Sequence, residues 1–536
     1  MLPISKLSLI LRHPLQFTGV SDSRNFGFIL KIALFATGCA GIVAEFVLST
    51  LASYLIGNAI FQWTIVMSLM LFAMGLGSRV SRYIRHSLLD AFIIVEFILS
   101  VVCALSAITA YSLAAFTDYD DLLIYALAFS IGFLIGLEIP LVTRLNEAYE
   151  ELRVNISAVM EKDYYGALAG GLIFAFFALP VLGLTYTPVI LGAVNFFVAS
   201  LILWRFFHLV QIKKILVPGF VVSMFVLIAT GLFARPIITY GEQLKYVDKI
   251  VYSAQTPYQK IVMTRWKNDY WLYINGQEQF STVDEEKYHE PLVHPAVFLS
   301  HDPSNVLIMG GGDGLGAREV LKHGNVKKVT LVDLDPEMTN LAMTSPILQD
   351  INKGSMVDSR ISLVNKDARA FIENDQNMYG VIIIDLPDPD TIDLMHVYSL
   401  NFYRLIHRRL ARGGIMVTQA TSPFFSKKAF LCILATVKKA GFSTLPFHNP
   451  IPTMGEWGWV MGARSEDIDT DRMKEILMAA QFENIETRYI NQDAMISMLH
   501  FGKGVFDGKN SLDIQINTEF HPVLYNYYLS GSWGVY

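Results

Sequence analysis

Met309-Gly310-Gly311-Gly312-Asp313-Gly314 closes a short apolar strand, 305–309, and sets an acid inside a glycine turn. Glycine adopts positive φ and has no side chain to clash, so such a turn lets backbone approach a nucleotide-like ligand closely. Turns of this kind usually hold their ligand with backbone N–H groups at a helix N-terminus, a place suited to an anion. A carboxylate planted there favours a cation. The expected ligand is nucleoside-like and positively charged.

Outward from this turn the pattern is strand–helix alternation. Apolar strands fit at 305–309, 328–332, 361–365, 380–384 and 414–418, with helical stretches such as 316–323 and 399–411 between them. This predicts a doubly wound, Rossmann-like (methyltransferase-type) parallel sheet that binds ligands at the carboxyl ends of its strands. Acids stand at four successive strand ends: Asp313, Asp333, Asp367, and then Asp385 with Asp388. Asp333 lies at the distance beyond Asp313 where an acid after the second strand reaches a ribose diol. In Asp385-Leu386-Pro387-Asp388-Pro389 the prolines stiffen the loop. Its paired carboxylates suit amine binding and proton abstraction. Upstream, 240–300 is strand-rich, with Lys260–Trp266 and Tyr270–Ile274 flanking a polar turn at Lys267-Asn268-Asp269.

The rest of the chain is of another kind. Of 536 residues, 53% are hydrophobic and 17% charged, and the excess apolar content lies between about Lys31 and Phe233. Seven stretches of spanning length fit there: 31–56, 60–78, 90–115, 121–142, 164–183, 185–205 and 215–233. Gly132/Gly136 and Gly166/Gly170 have the spacing of close helix–helix contacts. Lys6, Arg12, Arg24 and Lys31 precede the first span. Arg79, Arg82, Arg85, Arg144, Arg153, Lys162, Arg205, Lys213 and Lys214 fill alternate loops, while the intervening loops carry acids (Asp118, Asp120, Asp121) or nothing. The positive-inside rule puts the N-terminus in the cytoplasm, and seven spans then leave the C-terminal half outside. Glu45, Glu96 and Glu138 fall inside spans, as candidates for a cation path or for hydrogen-bonded helix contacts. Three cysteines give neither a disulfide framework nor metal spacing, and the net charge of −6 gives no hint of nucleic-acid binding.

Taken in order, the residues resemble a known family. Tyr258-Gln259, Asn275-Gly276 with Gln279, and Asp284-Glu285 with Tyr288-His289-Glu290 come first. The Gly310–Gly314 turn with Arg318-Glu319-Val320, then Val332-Asp333-Leu334-Asp335, Asp367-Ala368 and Asp385 with Asp388-Pro389 follow. Over roughly 240–465 the series resembles the spermidine synthases (polyamine aminopropyltransferases). The apolar half and Asn517-Thr518 with His521-Pro522-Val523 look like the membrane-fused bacterial branch. The resemblance implies transfer of an aminopropyl group from decarboxylated S-adenosylmethionine, a co-substrate rather than a cofactor, to putrescine or a related amine, with no metal. It also implies multi-pass insertion in the bacterial inner membrane and a possible homodimer. By position, Gln259 and His289 would contact substrates, Asp313 the aminopropyl ammonium, and Asp333 the ribose hydroxyls. Asp367 and Ala368 would contact the adenine. Asp385 would be the general base, Asp388 would help hold the attacking amine, and Gln419 would line the same site.

The chain also departs from that family. Leu386-Pro387 replaces two small polar residues, and Asp333 stands where glutamate is frequent. Met454, after Pro452-Thr453, stands where a tyrosine commonly packs on the acceptor. The donor side therefore looks intact and the acceptor side altered. The competing readings are a membrane polyamine transporter or sensor with a non-catalytic ligand-binding domain, and a methyltransferase of the same fold, which Asp313 disfavours. The expected organisation is a cytoplasmic segment at 1–30, a membrane domain at 31–234, a small β subdomain at 235–300, a catalytic domain at 301–465 and an extension at 466–536. The implied donor is a cytoplasmic metabolite, so a cytoplasmic-side site is expected on metabolic grounds and would put the span count off by one.

Overall fold

The computed structural model describes residues 20–56, 59–114, 120–147, 152–506 and 513–533. Lys6, Arg12 and Asp118 lie outside them. The chain forms two compact units, Met1–Val247 and Asp248–Tyr536.

Long apolar runs make the first unit helical. Its helices are α1 (Val20–Ile56), α2 (Ala59–Ser81), α3 (Leu88–Ala114), α4 (Asp120–Asn146), α5 (Leu152–Ile173), α6 (Gly183–Arg205) and α7 (Lys213–Lys245), with a π-helical segment, Phe174–Leu182, joining α5 to α6. Among the described residues six uninterrupted runs are long and apolar enough to cross a membrane, one of them the 53-residue run Arg153–Arg205. Straight, that run would measure ~80 Å at 1.5 Å per residue. It is not straight. Gly183 breaks it with φ 63° and ψ −172°. Val159 and Leu203 then share one core layer with Leu30, whereas Phe174 and Leu184 share another with Leu48. α5 and α6 therefore run in opposite directions, and among the described residues the bundle has seven long α-helices. The predicted glycine contacts are present: a Cβ on Gly136 would lie 2.1 Å from the Met74 carbonyl oxygen, and one on Gly166 2.1 Å from that of Phe35.

Several expected boundaries move: α1 begins at Val20 rather than 31, and α5 at Leu152 rather than 164. α7 runs to Lys245 rather than ending near 233. Hydropathy marks where a helix stops being apolar, not where it stops being helical, and Pro236 sits inside it.

The second unit holds two sheets. β1 (Lys249–Gln255), β2 (Lys260–Trp266), β3 (Asp269–Ile274) and β4 (Gln277–Ser281) form an antiparallel meander. The β2–β3 turn has Lys267 at φ 56°, and Asn275-Gly276 turns β3 into β4 with both residues at positive φ, the pairing a tight hairpin requires. After α8 (Glu286–Leu299) come β5 (Asn305–Gly310), α9 (Leu315–Leu321), β6 (Lys328–Asp333), α10 (Pro336–Thr344), α11 (Pro346–Ile351), β7 (Ile361–Asn365), α12 (Ala368–Asn374), β8 (Tyr379–Asp385), α13 (Leu400–Arg409), β9 (Leu410–Gln419), α14 (Lys427–Lys439), β10 (Phe442–Ile451) and β11 (Gly455–Arg464). The sheet order is β10-β11-β9-β8-β5-β6-β7. Its five central and edge strands β5–β9 are parallel, as expected. β10 and β11, absent from the expectation, are antiparallel and make the sheet mixed. The meander does not stand alone: Ile261, Met263, Leu272 and Phe280 join Val306 and Ile308 in one core. The extension is also built in. α15 (Thr470–Met478) and α16 (Gln492–Met498) contribute Met473, Leu477 and Met495 to that core, and α17 (Val523–Leu529) packs Leu524 and Tyr528 with α14's Phe430 in the other. Glu290, buried on α8, accepts the backbone N–H groups of Arg488, Tyr489 and Ile490 at 2.6–2.9 Å and fixes the start of this extension.

Candidate active site

Gly310 and Gly311 leave β5 with φ of 82° and 63°, and a Cβ on Gly310 would lie 1.9 Å from the Asp385 carbonyl oxygen. Only glycine permits the ends of β5 and β8 to approach so closely. A Cβ on Gly312 would lie 2.5 Å from Asp333 Oδ2, so the same turn is seated on the second acid. Asp313 follows, half-buried, with one oxygen accepting the Leu315 N–H at 2.8 Å.

Asp333 closes β6, and its Oδ1 accepts the Asp335 N–H at 2.9 Å. Burial raises its carboxyl to about 6; the Asp335 and Gly312 N–H groups oppose the rise, and neighbouring Asp313 adds to it. Gln259 lies in the β1–β2 turn. Thr256 Oγ1 accepts the Gln259 N–H at 3.0 Å and donates to Asp335 Oδ2 at 2.9 Å, which seats that turn beside the end of β6. Asp367 caps α12 by accepting the Ala370 N–H at 2.7 Å. Its other oxygen lies 3.2 Å from His396 Nε2, an interaction that holds the carboxyl below its ordinary range. Ala368, buried, is the next residue.

Asp385 closes β8, and its Oδ1 accepts the Tyr288 hydroxyl at 2.7 Å. Burial pushes its carboxyl up to about 6, His289 and the Tyr288 bond oppose this, and Asp313 adds to it. Asp388 accepts the Tyr528 hydroxyl on Oδ2 at 2.9 Å and the Gln419 amide on Oδ1 at 3.2 Å. Burial carries it to about 7. Gln419, at the end of β9, also donates to the Leu386 carbonyl at 2.9 Å, and Tyr398 donates to the Pro387 carbonyl at 2.8 Å, so the loop between the two acids is pinned from both sides.

His289 supplies the compensating charge. Burial alone would lower its pKa, but the Glu285 carboxylate, 3.1 Å from Nδ1, outweighs burial and with Asp313 and Asp385 holds the ring near 9. Burial would raise Glu285, yet His289 and Arg318, whose guanidinium is 2.7 Å away, hold it at about 2. The imidazole is therefore cationic at neutral pH beneath the carboxylates.

The structure thus brings Asp313, Asp333, Asp385 and His289 into one electrostatically coupled set, with Asp388 and Gln419 beside it. Asp367 and Ala368 stand beyond the third strand end. Three residues given no role from sequence complete the set. Tyr288 was visible as His289's neighbour, but a tyrosine carries no sign that it will reach a strand end 97 residues away. Tyr398 and Tyr528 had no local signal at all. Half-buried carboxyls poised near neutrality, a fixed cation and aligned hydroxyl donors suit a cationic ligand and the removal of a proton.

Tyr528 yields a direct prediction. Tyr528→Phe removes one donor from Asp388 without changing shape, which costs about 0.5–1.5 kcal/mol. If Asp388 holds an attacking amine, as the resemblance implies, the expected result is an amine KM raised about 2–10-fold with kcat nearly unchanged, read from initial rates against amine concentration; an unaltered KM would separate Tyr528 from the amine side.

The family model described as "Spermine/spermidine synthase domain" matches residues 285–474. Polyamine aminopropyltransferase 2 of Aquifex aeolicus (strain VF5) is 42% identical over 502 residues, covering 93% of this chain and 98% of that protein. Polyamine aminopropyltransferase 1 of Streptomyces coelicolor is 40% identical over 450 residues, covering 82% of this chain and 84% of that protein. A crystal structure of spermidine synthase in complex with the transition-state analogue AdoDATO aligns with TM-score 0.43 and 26% identity, covering 48% of this chain and 87% of that one.

Proposed function

Because the chain belongs to the polyamine aminopropyltransferases of the spermine/spermidine synthase family, we infer that it transfers the aminopropyl group of decarboxylated S-adenosylmethionine to putrescine, giving spermidine and methylthioadenosine. The observation that carries this reading is Asp385. It is a half-buried carboxyl poised near neutrality, hydrogen-bonded by Tyr288 and electrostatically linked to the acid of the glycine turn.

In this reading Asp313 attracts the donor's ammonium, and would repel the carboxylate of an intact methyl donor. Asp333 accepts the ribose hydroxyls, with Gln259 beside it, and Asp367 and Ala368 border the adenine. The acceptor amine, with a pKa near 10, is mostly protonated at neutrality and cannot attack until it loses a proton. Asp388, oriented by Gln419 and Tyr528, holds the ammonium, and Asp385 takes the proton. The freed nitrogen lone pair attacks the methylene carbon in line, the carbon–sulfur bond breaks, and the electron pair leaves on the thioether sulfur. No metal takes part in these steps. His289 keeps several carboxylates tolerable in one place while the site is empty. Initial rates of methylthioadenosine release by the full chain, across a series of linear diamines, test the assignment. Putrescine is expected to give the highest kcat/KM; another optimum reassigns the acceptor, and no turnover with any amine overturns the reading.

We further propose that the first unit inserts in the membrane as a multi-pass bundle, supported by its apolar passes and glycine contacts. The basic residues Arg79, Arg82, Arg144, Arg205 and Lys213 lie at the end where α1 starts, and α7 finishes at the opposite end. By the positive-inside rule the chain past Lys245 then continues on the non-cytoplasmic side. A phosphatase reporter fused after Tyr536, active only outside the cytoplasm, is expected to be active. An inactive fusion beside an active cytoplasmic one would support the metabolic expectation instead.

A further inference from the structure

Beyond the catalytic reading, α3, α4 and α6 bring polar groups together in the interior of the apolar bundle. Glu96 is 0% exposed, and among the described residues neither of its carboxyl oxygens has a hydrogen-bond partner. Glu138 is 2% exposed, and among the described residues its Oε1 has no hydrogen-bond partner. The two carboxyls lie within electrostatic range of each other and of the Cys103 thiol.

An independent observation comes from a residue that is not acidic. Asn195 on α6 is 0% exposed, and neither its amide nitrogen nor its oxygen is paired. One turn earlier, a Cβ on Gly192 would lie 2.4 Å from the Ser100 carbonyl oxygen, and the residue after Asn195, Phe196, packs at a tilt against Phe97 with ring centroids 5.9 Å apart. This antiparallel register sets Asn195 against the face of α3 that carries Glu96 and Ser100. The Ser100 hydroxyl, also 0% exposed, is unpaired too. Unpaired buried polar groups of this kind are each destabilising, so several on facing helices need a purpose.

The groups also share a depth. Glu96 lies eight residues after Leu88, Glu138 eight before Asn146, and Asn195 ten before Arg205. At 1.5 Å per residue that is ~12–15 Å from one end of the bundle in each case, near the middle of a hydrocarbon layer about 30 Å thick. Ionisable groups at that depth mark ligand or ion sites.

We propose that the bundle carries a binding site for a protonated linear amine, formed by Glu96, Glu138, Asn195 and Ser100. An ammonium offers three donors, and this set offers carboxylate, amide and hydroxyl acceptors on facing helices. Among the described residues no three histidine, cysteine, aspartate or glutamate side chains are grouped to hold a metal ion. The occupant is of the chemical class that the catalytic reading assigns as acceptor and product, so the inference rests on that reading and on membrane insertion.

The test uses the full chain in lipid nanodiscs. Alkaline extraction of membranes first establishes that the chain is integral; release into the supernatant would overturn the membrane reading itself. Methylthioadenosine release by the wild type checks the catalytic reading separately. Equilibrium binding of radiolabelled putrescine and spermidine is then measured in an Asp385→Asn/Asp388→Asn background, which removes the catalytic amine site. One saturable amine per chain is expected, with affinity lowered at least tenfold by Glu96→Gln and by Asn195→Leu, whereas Glu96→Gln in the otherwise wild-type chain leaves kcat unchanged. Ser100→Ala, which only removes a hydroxyl, serves if the larger changes prevent folding, and is expected to weaken binding at least threefold. No retained amine, an amine insensitive to Glu96→Gln and Ser100→Ala, or displacement by sodium in preference to amine would each overturn the proposal.

Discussion

Asp385→Asn is expected to lower kcat by about 10²–10⁴-fold, the usual contribution of a positioned general base. The substitution keeps an oxygen able to accept the Tyr288 hydroxyl, now bonded at 2.7 Å, so the loop and the donor side should stay in place. What it removes is the capacity to take a proton. Donor affinity, measured by equilibrium binding, should therefore change little while single-turnover rates collapse. The pH profile carries the same prediction with a definite sign. A base raised to about 6 by burial is protonated and inactive below that pH and ionised above it. Asp388, raised to about 7, must likewise be ionised to hold a cation. The wild-type kcat/KM should accordingly rise with pH across about 6–7, as a property of the coupled pair rather than of either residue. The limb belonging to Asp385 should be missing from the residual activity of the Asn variant. A loss smaller than tenfold, or an unchanged acid limb, would remove Asp385 from the proton transfer.

The second large effect is expected at Asp313. Hydrogen bonds to charged groups contribute about 1.5–3 kcal/mol, so Asp313→Asn should weaken binding of the decarboxylated donor by about 10–150-fold. Its discriminating power should fall as well. In the proposed reading the wild type sets a carboxylate where an intact methyl donor would present its own, and like charges at close quarters are rejected. In the Asn variant that repulsion is gone. The ratio of the two sulfonium affinities, measured by calorimetry, should therefore shrink by more than the drop for either ligand alone explains. One Asp313 oxygen already caps Leu315, so the variant retains the turn through its amide oxygen, and loss of fold is not the expected cause. Equal weakening toward both sulfoniums would mean that Asp313 shapes the turn without selecting charge.

Much of this site was legible because its parts are local. A glycine turn announces itself through residues that tolerate positive φ, and strand-end acids announce themselves through the apolar runs before them. Asp313, Asp333, Asp385 and Asp388 were singled out that way, and Gln419 through the family resemblance. What escaped was carried by distance. Tyr528 reaches Asp388 across 140 residues of sequence, and the register of a distant helix leaves no periodic trace. β10 and β11 were missed because they pair antiparallel at the sheet edge, outside the strand–helix alternation that revealed the others. In the first unit, apolar length located the passes, and the break expected between 183 and 185, dividing α5 from α6, falls where the backbone turns. Their division lies in the backbone angles of Gly183. Glu96 and Glu138 stood out as charges in apolar runs, whereas Asn195, a neutral side chain, became notable only when its partners could be seen to be missing.

The most direct measurement follows the label. The full chain is supplied with decarboxylated S-adenosylmethionine carrying isotope in its aminopropyl carbons, and with unlabelled putrescine. The account predicts labelled spermidine and unlabelled methylthioadenosine in equal amounts, with intact S-adenosylmethionine giving neither. Label retained on the nucleoside product, or a methylated amine formed from the intact donor, would contradict it.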